Sequence, residues 1–367
     1  MSFLEKLKEY EEFDLDSYFE NVTDEMILES IYKTTLDKYD FLNILAPQAK
    51  KFLEKIAQRA HDVTVQNFGY TINLYLPMYV SNYCSSNCLY CGFSKQNRIQ
   101  RSKLTLEEVE AEAQEIAKTG IKHILFLTGE SKKITPLEYL IDVTKILKKY
   151  FSLVAIEIAP MSEEEYKQLF DAGVNGLTIY QEVYDREIYG QVHISGEKTN
   201  YDYRLDAPER GAKAGFRNVN IGALFGLGNI QKEAFISGLH AKYLSDKYLE
   251  CELGLSLPRI NEAEGGFQPY TLLDDATFVQ IMCAYRLFLP RVEINISTRE
   301  KAEFRNNLLK ICATKFSAGS RTEVGGYTKA RTEPQFEISD VRDSKDVIDK
   351  ITAMGYEPVY KNWENIS

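Results

Sequence analysis

Eight short apolar runs, separated by amphipathic segments, follow one another from residue 71 to about residue 320. The runs are TINLYLPMYV from Thr71, HILFLTG from His123, LVAIEIAP from Leu153, GLTIYQEV from Gly176, VNIGALFGL from Val219, CELGLSLP from Cys251, RVEINIS from Arg291 and TKFSAGS from Thr314. Strands that alternate with helices form parallel sheets, and eight such units can close into a barrel without free edges. The sequence therefore predicts an α/β fold, a (β/α)8 barrel of the TIM type, with an open doubly wound sheet as the alternative.

The segments between the runs carry the signals of helix ends. Thr105 and Glu108 have the spacing of a capping box, and so do Ser162 and Glu165, which indicates that a helix begins at each pair. Gly173 stands where the second of these helices should end, because glycine readily adopts the left-handed conformation of a helix C-terminus. We therefore expect helices to connect the strands.

The domain organisation follows from where the alternation begins and ends. Residues 1–70 contain no good strand and are rich in Glu, Lys, Tyr and Leu, so they predict a helical N-terminal extension. Residues 71–322 are predicted to form the barrel, and residues 323–367 a C-terminal tail that packs on it. No linker rich in Pro, Gly or Ser divides the chain, which favours one domain.

Charge and hydropathy exclude several classes of protein. The 367 residues include 54 Asp and Glu against 44 Lys and Arg, a net charge of −10, whereas proteins that bind nucleic acids or anionic membranes need basic surfaces. No apolar stretch of about 18 residues is present, so no membrane span is predicted. The N-terminus is charged and lacks the apolar core of a signal peptide. We therefore expect a cytoplasmic protein with reduced cysteines.

The strongest signal for chemistry is a group of three cysteines directly after the first run. Cys84, Cys88 and Cys91 are close enough in sequence to bind one zinc ion or one iron–sulfur cluster, the centres that soft thiolates select. A structural zinc site needs four protein ligands, and no fourth ligand is near in sequence. Three thiolates on a [4Fe-4S] cluster would leave one iron open. The cluster is therefore favoured; zinc with a remote histidine, and three unrelated buried thiols, are the alternatives.

The CxxxCxxC spacing, with an aromatic residue before the last cysteine, resembles the radical S-adenosylmethionine (SAM) superfamily. The resemblance implies a [4Fe-4S] cluster whose open iron binds SAM, and a 5′-deoxyadenosyl radical released from SAM by one electron. The positions that it implies for SAM binding are Tyr90, Thr128, Gly129, Glu130, Glu157, Arg204, Gly222 and Arg259. Several also have a structural interpretation: Gly129 as a turn residue, Glu130 as a helix cap, and Arg204 as the partner of a surface acid.

Longer segments resemble one family of that superfamily, the 2-iminoacetate synthases. The similar segments are Cys88–Ser94 with Asn97-Arg98, Tyr180–Tyr184, Tyr203–Asp206, Ser256–Arg259, Ile296–Glu300, Gly325–Tyr327 and Gly355–Trp363. The resemblance implies a lyase that cleaves the Cα–Cβ bond of L-tyrosine to 2-iminoacetate (dehydroglycine) and p-cresol, and that supplies the thiazole precursor for thiamine biosynthesis. It also implies thiazole synthase as a protein partner and an external electron donor such as flavodoxin or ferredoxin.

Four residues are candidates for catalysis. Ser297 and Arg299 follow the seventh run, and the resemblance assigns them the tyrosine carboxylate, which an Arg fork and a hydroxyl can bind. Glu182 and Gln181 are candidates for the acceptor of the phenol proton, on their location alone. Ser297 also fits an ordinary helix N-cap.

Two alternatives to this function remain. The hydrogenase maturase HydG also cleaves tyrosine, but it carries a second cluster on a C-terminal CxxC and a further cysteine. The other cysteines here are Cys251, Cys283 and Cys312, and none of them lies in a CxxC. The alternatives are therefore a HydG-like tyrosine lyase without the second cluster, and a non-enzymatic iron–sulfur protein.

Overall fold

The computed structural model describes residues 2–11, 13–329 and 332–362. The α-helices are α1 (Phe3–Glu11), α2 (Leu15–Glu20), α3 (Asp24–Tyr32), α4 (Lys38–Leu45), α5 (Leu53–Phe68), α6 (Leu106–Ala117), α7 (Leu137–Leu147), α8 (Glu163–Ala172), α9 (Arg186–Val192), α10 (Tyr201–Leu205), α11 (Ala207–Lys213), α12 (Ile230–Lys247), α13 (Asp275–Phe288), α14 (Ala302–Leu309) and α15 (Ser344–Ala353). The strands are β1 (Thr71–Ser81), β2 (Asn87–Cys88), β3 (His123–Thr128), β4 (Leu153–Glu157), β5 (Gly176–Thr178), β6 (His193–Ser195), β7 (Asn218–Gly222), β8 (Glu252–Ser256), β9 (Glu293–Ile296), β10 (Lys315–Ser317) and β11 (Glu357–Val359). Short 3₁₀ helices cover Pro47–Phe52 and Glu197–Thr199.

Eight parallel strands close into a barrel, as the sequence predicts. Their order is β1-β3-β4-β5-β7-β8-β9-β10, and β10 pairs with β1 to complete the ring. At the closure, Asn73 is paired with Lys315 and Tyr75 with Ser317. Because all eight strands run in the same direction, their carboxyl ends meet at one mouth, where loops can bring distant residues together. The open-sheet alternative is therefore wrong.

The helix signals of the sequence are present in the structure. Thr105 and Glu108 form a reciprocal capping box at the start of α6, and Ser162 and Glu165 form one at the start of α8. Gly173 ends α8 in the left-handed conformation, with φ of 113°. These local hydrogen bonds satisfy backbone groups that have no partner within the helix, so short polar motifs fix where the connecting helices begin and end.

Several strands are shorter than their apolar runs, and β5 shows the reason most clearly. The run from Gly176 to Val183 forms β5 only as far as Thr178. Beyond it the chain keeps single hydrogen bonds to β7, and then turns at Glu182, which has a φ of 72°. The prediction of one continuous strand was wrong here, because apolar composition marks burial but does not show where the backbone leaves the sheet.

Helices α1, α4 and α5 of the N-terminal extension pack against α12 and α13, and α3 packs against α4 and α5. Phe41 of α4 stacks on Phe288 of α13, with the ring centroids 4.5 Å apart. The side-chain amide of Gln280, buried on α13, donates to the carbonyl oxygens of Ile44 and Ala46. Buried hydrogen bonds add direction to an otherwise apolar contact, so this extension has a defined position on the barrel.

The segment after the barrel returns to the strands and to their helices. Strand β11, which the sequence analysis missed, pairs in parallel with the start of β1. The buried carboxylate of Glu112 on α6 accepts hydrogen bonds from the backbone N–H groups of Tyr327 and Thr328 and from the Thr328 hydroxyl. Trp363, the last residue of the resemblance, lies outside the described residues. No helix of the described chain is both long and apolar enough to cross a membrane.

Candidate active site

A cavity opens at the carboxyl ends of the barrel strands, and the loops that follow the strands supply most of its wall. Its lining includes most of the site residues that the sequence analysis selected: Cys84, Cys88, Tyr90, Cys91, Thr128, Gly129, Glu130, Glu157, Glu182, Arg204, Ser297 and Arg299. These residues span more than two hundred positions of the chain. The closed barrel is what brings them to one place.

The cysteine loop leaves β1 and is held by backbone contacts on several sides. The guanidinium of Arg101 donates to the carbonyl oxygens of Asn82, Phe93 and Ser94, and so ties the start and end of the loop together. Strand β2, which contains Cys88, pairs with β6 in a two-stranded ribbon. All three cysteines line the cavity, and the loop is therefore preorganised to present three sulfur atoms to it.

Burial keeps the three thiols protonated when no metal is near them. It raises the pKa of Cys84 to about 11, and it raises the pKa values of Cys88 and Cys91 as well. Among the described residues, no three His, Cys, Asp or Glu side chains gather tightly enough to hold a single metal ion. All three thiols line the cavity, and thiolates are soft donors of the kind that hold an iron–sulfur cluster, whose positive charge would displace the thiol protons.

Four alternating charges form a buried cluster beside the cysteines. Glu130 Oε1 lies 2.7 Å from Arg204 Nη1, and Glu182 Oε1 lies 2.7 Å from Lys198 Nζ. Arg204 and Glu182 are 3.4 Å apart, and Lys198 and Glu130 are 3.7 Å apart, so each charge faces both opposite charges. The four formal charges sum to zero, which is the condition under which buried charges are tolerated.

The cluster fixes the ionisation of its two carboxylates. Burial alone would raise the pKa of Glu130, but Arg204 and Lys198 outweigh it and hold the pKa below its ordinary value. The same two cations lower the pKa of Glu182. The second oxygen of Glu130, Oε2, has no hydrogen-bond partner although it is buried. An ionised, half-satisfied carboxylate at a cavity wall is a ready acceptor for a cationic ligand.

Gly129 and Tyr90 shape the same part of the wall. A Cβ atom on Gly129 would come within 2.4 Å of the Tyr83 carbonyl oxygen, so only glycine allows this close approach of two loops. The Tyr90 hydroxyl donates to Nε2 of His193 at 2.8 Å, because Nδ1 of that ring must donate to the Tyr189 carbonyl. The Tyr90 ring is thereby held beside the cysteines.

Arg299 lines the same cavity as the charge cluster. Its guanidinium stacks on the Phe336 ring at 3.4 Å and donates to the Arg259 carbonyl at 3.3 Å. No acidic side chain of the described residues forms an ion pair with it. Burial lowers the pKa of Arg299, although the guanidinium remains charged. Ser297 lies on the same loop and lines the cavity with it, so the two could bind an anionic group together.

Glu157 is the acid of this cavity whose pKa moves upward. Burial, and then the charge of Glu182, raise its pKa to about 7. Its carboxyl lies at the carboxyl end of β4 and faces a cavity that also contains the rings of Tyr75, Tyr79 and Tyr180. A carboxyl group with a pKa near 7 can both accept and release a proton at neutral pH.

Three predicted residues do not reach the cavity lining. Arg259 is held away by Glu300, Asp275 and the Leu273 carbonyl. Gln181 is buried, and neither polar atom of its side chain has a partner. Gly222 packs against β8, where a Cβ would lie 2.4 Å from the Ser256 carbonyl oxygen. Gly222 and Arg259 therefore make contacts within the barrel structure, and Gln181 is buried without lining the cavity.

Three of the residues that line the cavity and contact the predicted site residues were not selected in the sequence analysis. Lys198 completes the charge cluster, and Gln335 and Phe336 enter from the segment after the barrel. Lys198 lies in the short 3₁₀ helix Glu197–Thr199, whose sequence carries no recognisable motif. The other two are more than two hundred residues from the cysteines, so no local pattern connects them.

Comparison with known proteins gives consistent matches along most of the chain. Residues 78–236 match the family described as the Radical SAM superfamily, and residues 256–357 match the Biotin and Thiamin Synthesis associated domain. The chain is 36% identical over 332 residues to 2-iminoacetate synthase of Salmonella typhimurium, which covers 90% of this chain and 88% of that protein. The Escherichia coli 2-iminoacetate synthase is 35% identical over the same shares.

Solved structures agree with these matches. The crystal structure of HydG, a maturase of the [FeFe]-hydrogenase, superimposes with a TM-score of 0.90 at 31% identity, over 95% of this chain and 80% of that chain. Methylornithine synthase (PylB), with a TM-score of 0.74 at 21% identity over 91% of this chain and 97% of that chain, shares the fold. The barrel and its three-cysteine loop define a radical SAM enzyme. Within that superfamily, the chain belongs to the 2-iminoacetate synthase family.

Proposed function

We propose that this protein is a radical SAM lyase that cleaves the Cα–Cβ bond of L-tyrosine to 2-iminoacetate and p-cresol. The observation that carries the proposal is the position of Arg299: a guanidinium without an acidic partner in the described chain lines the same cavity as the three cysteines. An amino-acid carboxylate bound there would hold its amino group inside the cavity. The family relationship supplies the identity of the amino acid.

The three cysteines fit a [4Fe-4S] cluster with one open iron, and the charge cluster fits SAM. When they are bound, the cluster and SAM supply one-electron radical chemistry. Cys84, Cys88 and Cys91 would hold the cluster, and the free oxygen of Glu130 would accept the SAM ammonium group. Arg204 is already paired with Glu130 and Glu182, so its contacts favour a role in orienting those carboxylates over direct binding of the SAM carboxylate.

The chain's own residues then position tyrosine and handle its proton. Arg299 and Ser297 would hold the carboxylate, which restricts the amino nitrogen to a small volume and favours reaction there. Glu157 is better suited than Glu182 to accept the phenol proton, because the pKa of Glu157 is raised to about 7 whereas that of Glu182 is lowered. Gln181 does not line the cavity, which argues against a part for it in this step.

A HydG-like lyase without a second cluster is the second candidate, and the close superposition on HydG favours it. Cys283 and Cys312 are buried and Cys251 is partly buried, and none of the three lines the cavity. A second cluster would therefore find no ligands at this site. We propose that the products leave as 2-iminoacetate and p-cresol, that thiazole synthase receives the first, and that flavodoxin or ferredoxin provides the electron.

One anaerobic assay tests the proposal. Protein reconstituted with iron and sulfide is given SAM, tyrosine and a reductant, and p-cresol and 5′-deoxyadenosine are quantified, with Cys88→Ala as the inactive control. The proposal predicts both products in the wild type and neither in the variant. Formation of 5′-deoxyadenosine without p-cresol would assign another substrate. A cluster that does not respond to SAM would favour the non-enzymatic iron–sulfur protein.

A further inference from the structure

Two adjacent residues of the segment after the barrel contact the site at different points. The side chain of Gln335 contacts Cys91, and the ring of Phe336 stacks on Arg299. The segment is fixed there by its backbone: the Gly92 N–H donates to the Gln335 carbonyl at 3.2 Å, and the Gln335 N–H donates to the Thr322 carbonyl at 3.1 Å. It is therefore part of the wall around the cysteines.

The side-chain amide of Gln335 has a defined orientation. Its Oε1 accepts a hydrogen bond from the Tyr79 hydroxyl at 2.7 Å, which leaves the amide N–H groups on the opposite side. There, Nε2 donates to Cys91 Sγ at 3.7 Å. Glycine at position 92 permits this close approach of the cysteine loop, because a Cβ there would lie 2.4 Å from the Gln335 carbonyl oxygen. Tyr79 thus selects the amide orientation that gives sulfur a donor.

A hydrogen-bond donor that contacts the sulfur of a cysteine ligand stabilises the oxidised and the reduced states of an iron–sulfur cluster to different extents. Reduction adds negative charge to the cluster and its thiolates, and an N–H group aimed at the sulfur stabilises the more negative state. The reduction potential of a cluster depends strongly on the hydrogen bonds to its sulfur atoms and on the residues that contact its ligands. A donor at Cys91 therefore makes the cluster easier to reduce.

We propose that Gln335 is a positioning residue that raises the reduction potential of the cluster through its N–H···S contact with Cys91. The inference rests on the proposed function, since it requires that Cys84, Cys88 and Cys91 bind an iron–sulfur cluster. Tyr79 acts through Gln335 by fixing the amide. The barrel strand and the late segment together therefore set how readily the electron enters the site.

The test is a redox titration of the reconstituted protein, followed by the EPR signal of the reduced cluster and without turnover. Gln335→Met keeps the length of the side chain but removes the donor. It should shift the midpoint to a more negative potential, so that the ratio of reduced to oxidised cluster at the wild-type midpoint falls about threefold, the size expected for one modest hydrogen bond. Tyr79→Phe should shift it in the same direction by less. Ser339→Ala, an exposed position on the same segment, is the matched control.

The outcomes separate this inference from the proposed function. A wild type that binds no cluster contradicts the proposed function. A wild type that binds one, with the same midpoint in Gln335→Met, overturns only the role of Gln335. If Gln335→Met binds no cluster, the midpoint potential of Tyr79→Phe is the deciding measurement. An unchanged midpoint in that variant overturns the inference. An equal shift in Ser339→Ala would also overturn it.

Discussion

Glu130 and Arg204 form a buried ion pair, with Oε1 and Nη1 2.7 Å apart, in which only one oxygen of the carboxylate is used. The pairing keeps Glu130 ionised and leaves its other oxygen buried without a hydrogen-bond partner. Removal of Glu130 would leave the two cations, Lys198 and Arg204, with Glu182 as their remaining partner in the cluster. Binding of a cation and stability of the site are therefore coupled at this carboxylate.

Glu130→Gln should weaken SAM binding. The variant loses the negative charge that would accept the SAM ammonium group, and a charge-assisted hydrogen bond of this kind contributes about 1.5–3 kcal/mol, or about 10- to 100-fold in affinity. Equilibrium binding of SAM to the reconstituted protein measures the change. Glu138→Gln, at an exposed position on α7, should bind SAM normally. Unchanged SAM affinity in Glu130→Gln would remove Glu130 from the binding site.

Arg299→Met should separate tyrosine binding from SAM cleavage. The methionine preserves apolar contact with Phe336 but removes the guanidinium, so KM for tyrosine should rise about 10- to 100-fold. Formation of 5′-deoxyadenosine should continue without an equal yield of p-cresol. The exposed Arg291→Met variant provides the comparison for the loss of one positive charge. Equal KM values in the two variants would contradict the role of Arg299.

Glu157→Gln should change how stability depends on pH. The pKa of Glu157 is about 7 in the folded protein against an ordinary 4.5, so the native state holds a proton that the unfolded state loses between these values. Stability therefore falls as pH rises through that window, by at most about 3 kcal/mol. Glutamine does not ionise, so the variant lacks this fall in stability with rising pH. Relative to wild type, the variant should gain stability from pH 5 to pH 8 in urea unfolding of the metal-free protein, and a constant difference would refute the assignment.

Glu112→Ala should loosen the segment that carries Gln335. The substitution leaves the N–H groups of Tyr327 and Thr328 without their acceptor, and the loss of a hydrogen bond to a charged group costs about 1.5–3 kcal/mol. The free energy of unfolding should fall by about 3 kcal/mol, and proteolysis should begin in the segment between residues 323 and 342. Glu115→Ala, exposed one turn further along α6, should change neither quantity. Equal proteolysis in both variants would mean that Glu112 does not anchor the segment.

Local sequence patterns predicted much of the fold and the cysteine loop. They could not predict contacts between residues that are far apart in the sequence. The cysteines, the capping boxes and most strands are each encoded within a few residues, so their spacing was enough. Gln335 lies 244 residues from Cys91, and Lys198 follows the short strand β6, which no apolar run of the sequence marks. The φ of Glu182 and the pairing of Arg259 with Glu300 depend on neighbours that only the closed barrel provides.

The position of Gln335 and Phe336 in the chain has a consequence for assembly of the protein during translation. A nascent polypeptide folds from its N-terminal part, so all eight strands of the ring exist before this short stretch is made. Until then the sulfur loop has no cover on that side and no amide opposite Cys91. Delivery of iron and sulfide to the growing chain would thus meet an unfinished pocket, and a cluster bound at the cysteines would gain its contact with Gln335 only when the late stretch has docked.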